Sequence, residues 1–120
     1  MKEAQAYVDA SILPEKGTAR FGYIFFLPGG ETEGKVEESM YIEAWGTEDF
    51  EVIALLMALR RAEKLLEQGI VDKVTIFSDN TGAIKKCSPL APPGVEIEWI
   101  SSSSNKAHQW VKHGKIPHQQ

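Results

Sequence analysis

Three carboxylates stand where an ordinary fold has little use for them. Asp9 falls in the middle of a strand-like run, Ala4 to Leu13, a setting from which aspartate is depleted. Glu51 lies in the first turn of a helical segment, immediately before its most apolar stretch, Val52 to Leu59. Asp79 closes the β-rich run Lys73 to Ser78, at the carboxyl edge where α/β sheets hold their ligands. Singly, each has a structural explanation: a solvent-facing strand residue, a first-turn helix acid, an Asx turn capping the next helix. Together they call for another. If the first and fourth strands are neighbours, Asp9 and Asp79 lie on backbones about 4.8 Å apart. A helix crossing that edge then brings Glu51 beside them. Three carboxylates so close repel one another unless positive charge lies between them. A hard divalent cation bound through oxygen resolves the repulsion, so metal-assisted chemistry is expected of Asp9, Glu51 and Asp79.

The elements that must position these residues are written in the hydrophobic pattern. Ala4 to Leu13 places Tyr7, Asp9 and Ser11 opposite Ala6, Val8 and Ala10, as a strand does. Pro14 to Gly17 reads as a turn, and Phe21 to Leu27 as a second strand closed by Pro28-Gly29-Gly30. Lys35 to Trp45 alternates as a third strand, with Val36, Met40, Ile42 and Ala44 on one face. Short connections make these three an antiparallel meander. Thr47 to Gln68 is the long helix: Thr47 as N-cap, Glu48 and Asp49 at the positive end of the dipole, Gly69 as the C-cap glycine. Because Val52 to Leu59 is apolar all round, its first half should be buried on more than one side. A fourth strand over Lys73 to Ser78, a short helix over Thr81 to Cys87 and a fifth strand over Val95 to Ile100 follow. Ser101 to Ser104 then forms a polar loop before a last helix running to about His113. The order βββαβαβα implies an α/β domain on a five-stranded mixed sheet, with three antiparallel and two parallel strands. Residues 1–120 are read as one domain, with 114–120 as a flexible tail.

Composition narrows the class. With 120 residues the chain has room for one domain, and it is large enough to fold without staples. The lone Cys87 excludes an internal disulfide framework and a thiolate metal site, and reads as a small buried hydrophobe. No apolar run reaches the roughly 20 residues that span a bilayer, and the start MKEAQAYVDA lacks the apolar core of a secretory signal. A cytoplasmic protein without membrane association is the expectation. Net charge is −4, which argues against nucleic-acid binding by bulk charge alone. The charge is uneven, however: residues 1–98 carry −7, whereas residues 99–120 carry three lysines, three histidines and no acid. Trp45, Trp99 and Trp110 are read as packing residues, and Arg60, Arg61 and Lys64 as a solvated helix face. Lys85 and Lys86, close to Asp79, are in reach of a phosphate or end the helix in solvent.

The motifs, taken in order, resemble those of ribonuclease H, specifically the small type I domain. Tyr7-Val8-Asp9-Ala10-Ser11 followed by Gly22 is similar to its first-strand motif. Glu51-Val52-Ile53-Ala54-Leu55 with Ala58-Leu59 is similar to its helical E-x-x-A-L-x-x-A-L signature. Val74-Thr75-Ile76-Phe77-Ser78-Asp79-Asn80 resembles its fourth-strand ending. The resemblance runs from about residue 4 to residue 113. It implies two divalent ions, Mg²⁺ or Mn²⁺, held by Asp9, Glu51 and Asp79, and cleavage of the RNA strand of an RNA–DNA hybrid.

The departures from the family pattern are as informative. The last helix of the family begins N-x-x-A-D-x-L-A, and its Asp is a fourth metal-site carboxylate. Ala107-His108-Gln109-Trp110-Val111 aligns with that stretch, so His108 takes the place of the Asp and the family's Asn falls on Ser104, with Asn105 one place off. An imidazole ligates a divalent ion through one nitrogen and suits Mn²⁺ better than Mg²⁺; His108 is therefore the fourth candidate catalytic and metal-site residue. Glu48 and Asp49 put acid where a polyanion should pass, and Ser101 to Ser104 replaces the family's G-H-S/T-G loop. These features favour an alternative: a ribonuclease-H-like module that binds nucleic acid or a protein partner without cutting. The three retained carboxylates oppose it.

Overall fold

The computed structural model describes residues 1–41 and 44–113. Glu3–Leu13 forms β1, the strand on which the sheet is centred, and its alternation is used on both faces. Ala4, Ala6, Val8 and Ala10 enter the main core, while Tyr7 turns to a smaller cluster on the other side. The antiparallel neighbour of β1 is β2 (Thr18–Phe26), which pairs in turn with β3 (Thr32–Met40). On its other side β1 runs parallel to β4 (Lys73–Ser78), and β4 runs parallel to β5 (Val95–Trp99). The strand order β3-β2-β1-β4-β5 is the mixed sheet expected, three strands antiparallel and two parallel. Three helices complete the fold: α1 (Thr47–Glu67), α2 (Thr81–Cys87) and α3 (His108–His113).

α1 covers the main-core face of the sheet. Phe50, Ala54, Leu55, Ala58, Leu59, Ala62 and Leu65 recur at three- and four-residue steps and are buried against the strands. The opposite face carries Tyr7 and Ile24, against which pack Ala107, just before α3, and Val111 within it. Arg20 secures the end of α3: its guanidinium donates to the Lys112 carbonyl at 2.8 Å while pairing with Glu38. Gly69, at φ +71°, follows α1 in the left-handed conformation expected of its C-terminal glycine.

Several boundaries differ from expectation, each for a reason rooted in pairing. β2 begins at Thr18 rather than Phe21, and its ladder with β3 runs from Phe26 opposite Thr32 to Thr18 opposite Met40. The third strand therefore starts inside the acidic loop and ends before Tyr41; Ile42 lies outside the described residues, as does the expected tail, 114–120. Since β3 is an edge strand, Met40 is 80% exposed instead of facing a core. The same holds for Trp99 on the other edge, 58% exposed, so it does not pack as expected. Leu56 is also exposed, leaving one side of the apolar half of α1 open. Gly46, not Thr47, is the N-cap of α1: its N–H donates to Asp49 Oδ2 at 2.8 Å, so the helix entry is held without the threonine hydroxyl. Arg61 is not simply solvated either, since it grips the Glu33 carboxylate of β3 with two nitrogens.

Candidate metal centre

The parallel β1–β4 register pairs Glu3 with Lys73 and Tyr7 with Phe77. Asp9 and Asp79 each stand two residues beyond the last of these pairs, so they emerge side by side at one edge. Opposite Asp9 on β2 is Gly22. A Cβ at Gly22 would lie 2.1 Å from the Lys35 carbonyl oxygen of β3, so only glycine permits this close strand approach. The N-terminal part of α1 crosses the same edge and, just past its first turn, delivers Glu51, whose Oε1 accepts from the Ala10 N–H at 3.0 Å. One carboxylate oxygen each of Asp9, Glu51 and Asp79 lies within 4.8 Å of the others. The convergence expected of these three residues is thus present.

Their electrostatics are those of carboxylates crowded together away from solvent. Asp9 and Glu51 are buried, at 4% and 2% exposure. Glu51 Oε2 is buried without any hydrogen-bond partner. Burial, first, pushes the Glu51 carboxyl up to about 9; the neighbouring Asp9 carboxylate adds to this, and Asp79 adds further. The Ala10 N–H pulls the other way. Burial also raises Asp79, as does the Asp9 charge, while the Asn105 hydrogen bond and His108 oppose the rise. An orphaned buried oxygen in a set of three hard oxygen donors fits a divalent cation.

His108 Nδ1 lies 3.0 Å from Asp9 Oδ2; with the proton on Nδ1 the ring donates and the carboxylate accepts. The imidazole is over half exposed and stands at the mouth of the cluster. It reaches the carboxylates through Asp9. The asparagine that the sequence alignment set one place off completes the arrangement. Asn105, not Ser104, is the buried asparagine: Nδ2 donates to the Val8 carbonyl at 2.8 Å and to Asp79 Oδ2 at 3.1 Å, and Oδ1 accepts from Ala107 N–H at 3.0 Å. It ties β1, the Asp79 carboxylate and the entry to α3 to one side chain. Its signal in the sequence is an asparagine two residues before the first apolar position of a helix, a capping pattern. On the other side of the site, Asn80 caps α2 by accepting from Ala83 N–H, and Lys86 is paired with Glu48 at 2.8 Å, which takes it away from the role of a phosphate ligand.

Comparison with protein-family models and with curated protein sequences finds no match. Solved structures do match. LC11-RNase H1, isolated from compost by a metagenomic approach, superposes with a TM-score of 0.70 at 15% identity, over 94% of this chain and 95% of that one. The same enzyme in complex with an RNA/DNA hybrid gives 0.67 at 14% identity, over 92% and 94%. RNase H1 from the halophilic archaeon Halobacterium salinarum NRC-1 gives 0.63 at 14% identity, over 87% and 89%. The chain has the fold shared by these proteins.

Proposed function

We propose, on the ribonuclease H-like fold of this chain, that it is a metal-dependent endonuclease hydrolysing the RNA strand of RNA–DNA hybrids, acting as a single domain. The observation that carries this reading is the convergence of Asp9, Glu51 and Asp79 with an unpartnered buried oxygen on Glu51. A purely structural role leaves such a cluster unexplained, because an apolar or neutral set would be more stable. The reading is also supported by the hybrid bound to one of the structural neighbours. Asp9, Glu51 and Asp79, with His108 beside Asp9, would hold two divalent ions, Mg²⁺ or Mn²⁺. Such ions lower the pKa of an attacking water and neutralise charge at the leaving 3′ oxygen.

The chain's own residues supply position. The Ala10 N–H fixes one oxygen of Glu51 and leaves the other buried without a partner. Asn105 fixes Asp79 Oδ2. His108, with Nδ1 against Asp9 Oδ2 and its ring over half exposed, stands at the site's mouth. The test is incubation of the purified protein with a hybrid labelled on its RNA strand, in Mg²⁺ and in Mn²⁺, beside the Asp9→Asn variant. Cleavage by the first and none by the second is expected. A second reading, binding without cutting, is favoured by His108, an imidazole against Asp9 where a fourth carboxylate would add charge for a second ion. Retention of the hybrid with no product in either ion would establish it and overturn the first.

A further inference from the structure

Beside the carboxylate edge, on the sheet face that carries α3, lies a cleft of about 480 Å³ whose lining includes Phe26, Ser102, Ser104, Lys106, His108 and Trp110. It is continuous with the metal centre, because His108 lines the cleft and bonds Asp9. Lys106 defines its chemistry. The ammonium sits 5.0 Å from the Phe26 ring centroid and 5.5 Å from that of Tyr7, so two aromatic faces hold it in place. Lys106 is exposed and makes no ion pair with any described residue, so its charge is uncompensated. Trp110, half-buried on α3, offers an aromatic surface in the same cleft, and the serines offer hydroxyls. The two sides of the site differ in sign. The segment from residue 99 onward has no acid, whereas Glu48 and Asp49 stand on the α1 side with Lys86 neutralised by Glu48.

We propose that this cleft is the track of the cleaved strand where it runs on, unpaired, beyond the duplex at the carboxylate edge, with a backbone phosphate on the Lys106 ammonium and an unpaired base against Trp110. The inference rests on the nuclease reading for its direction, since the strand is the one whose scissile phosphate would lie at Asp9, Glu51 and Asp79. A fixed cation beside an aromatic surface is the combination that binds single strands without regard to sequence. It places the polyanion on the side of the site away from Glu48 and Asp49.

The test separates binding from cutting. In the Asp9→Asn background with Mg²⁺, fluorescence anisotropy is measured with a labelled RNA–DNA hybrid carrying a single-stranded RNA overhang, single-stranded RNA and single-stranded DNA over a series of salt concentrations. Lys106→Ala is expected to weaken binding about tenfold at low salt and to reduce the slope of log K against log salt by about 1. Lys106→Glu should weaken it further, and Lys64→Ala, on the exposed face of α1, should match the background. Trp110→Phe, which keeps an aromatic ring in the α3 cluster, should bind nearly as the background does, whereas Trp110→Leu should lose affinity with no change in salt slope. Lys106 variants that bind with unaltered affinity and slope would overturn the proposal, as would a background that binds no strand at all. If the wild-type protein fails to cut the hybrid while Lys106→Ala still lowers affinity and slope, the hydrolase reading falls and the cleft stands. If it cuts but Lys106 is indifferent, the cleft falls alone.

Discussion

The protonation of Glu51 offers the sharpest test of the metal centre. In the metal-free protein its carboxyl is raised from the ordinary 4.5 to about 9, by burial first and then by Asp9 and Asp79. Between those values the folded protein holds Glu51 neutral while the unfolded chain has it ionised. The folded state therefore binds the extra proton, and the associated stability, fully present below 4.5, is lost as pH rises through about 9. Each pH unit within the window costs about 1.4 kcal/mol. From pH 6 to pH 8 the loss is about 3 kcal/mol, and for a domain of this size that lowers the melting temperature by about 10 °C. The perturbation is Glu51→Gln, which keeps an oxygen for the Ala10 N–H and cannot ionise. Thermal melts of EDTA-treated wild type and variant at pH 6, 7 and 8 read the difference for Glu51 together with its coupling to Asp9 and Asp79, because contributions from groups distant from Glu51 cancel between the two. The wild type should fall by about 10 °C relative to the variant across that range. Divalent ions should reverse the fall, and calorimetry in two buffers of different ionisation enthalpy should show about one proton released on binding at pH 7. Parallel melting curves for the two metal-free proteins would refute the assignment of Glu51 as a carboxylate buried for a cation.

Asp9→Asn should abolish hybrid cleavage and raise the melting temperature of the metal-free protein by a few degrees, roughly the effect of 1 kcal/mol of relieved repulsion; a variant that still cuts would move catalysis elsewhere. His108→Asp adds a fourth carboxylate and should raise activity in Mg²⁺ about tenfold more than in Mn²⁺. An unchanged Mg²⁺ to Mn²⁺ activity ratio would leave His108 a bystander beside Asp9. Asn105→Ala leaves the Val8 carbonyl and Asp79 without their donor and should cost about 1–3 kcal/mol in urea unfolding, with weaker Mn²⁺ binding by calorimetry as the sign that Asp79 has lost its position. Gly22→Ala forces a Cβ against the β3 backbone and should cost about 1–3 kcal/mol by the same unfolding measurement, and a neutral result would mean that β2 and β3 can separate freely.

The sequence by itself determined the order of elements and the three carboxylates, because both are local signals. Alternation in β1, three- and four-residue steps in α1 and a glycine after its last turn depend only on neighbours in the chain. Asp9 and Glu51 were legible because each is a charged residue set into an apolar stretch that must be buried. What depended on partners distant in sequence was decided only by the tertiary structure. The extents of β2 and β3 came from their mutual register, and the exposure of Met40 and Trp99 from standing at the two sheet edges, which no periodicity reveals. Asn105 gained its place from a carbonyl at Val8 and a carboxylate at Asp79, and His108 from a carboxylate on β1. Those bonds exist because β1 and β4 are parallel neighbours and α3 returns across them. A hydrogen bond between residues nearly a chain length apart has no pattern within either segment, so the fold had to bring them together before their chemistry could be read.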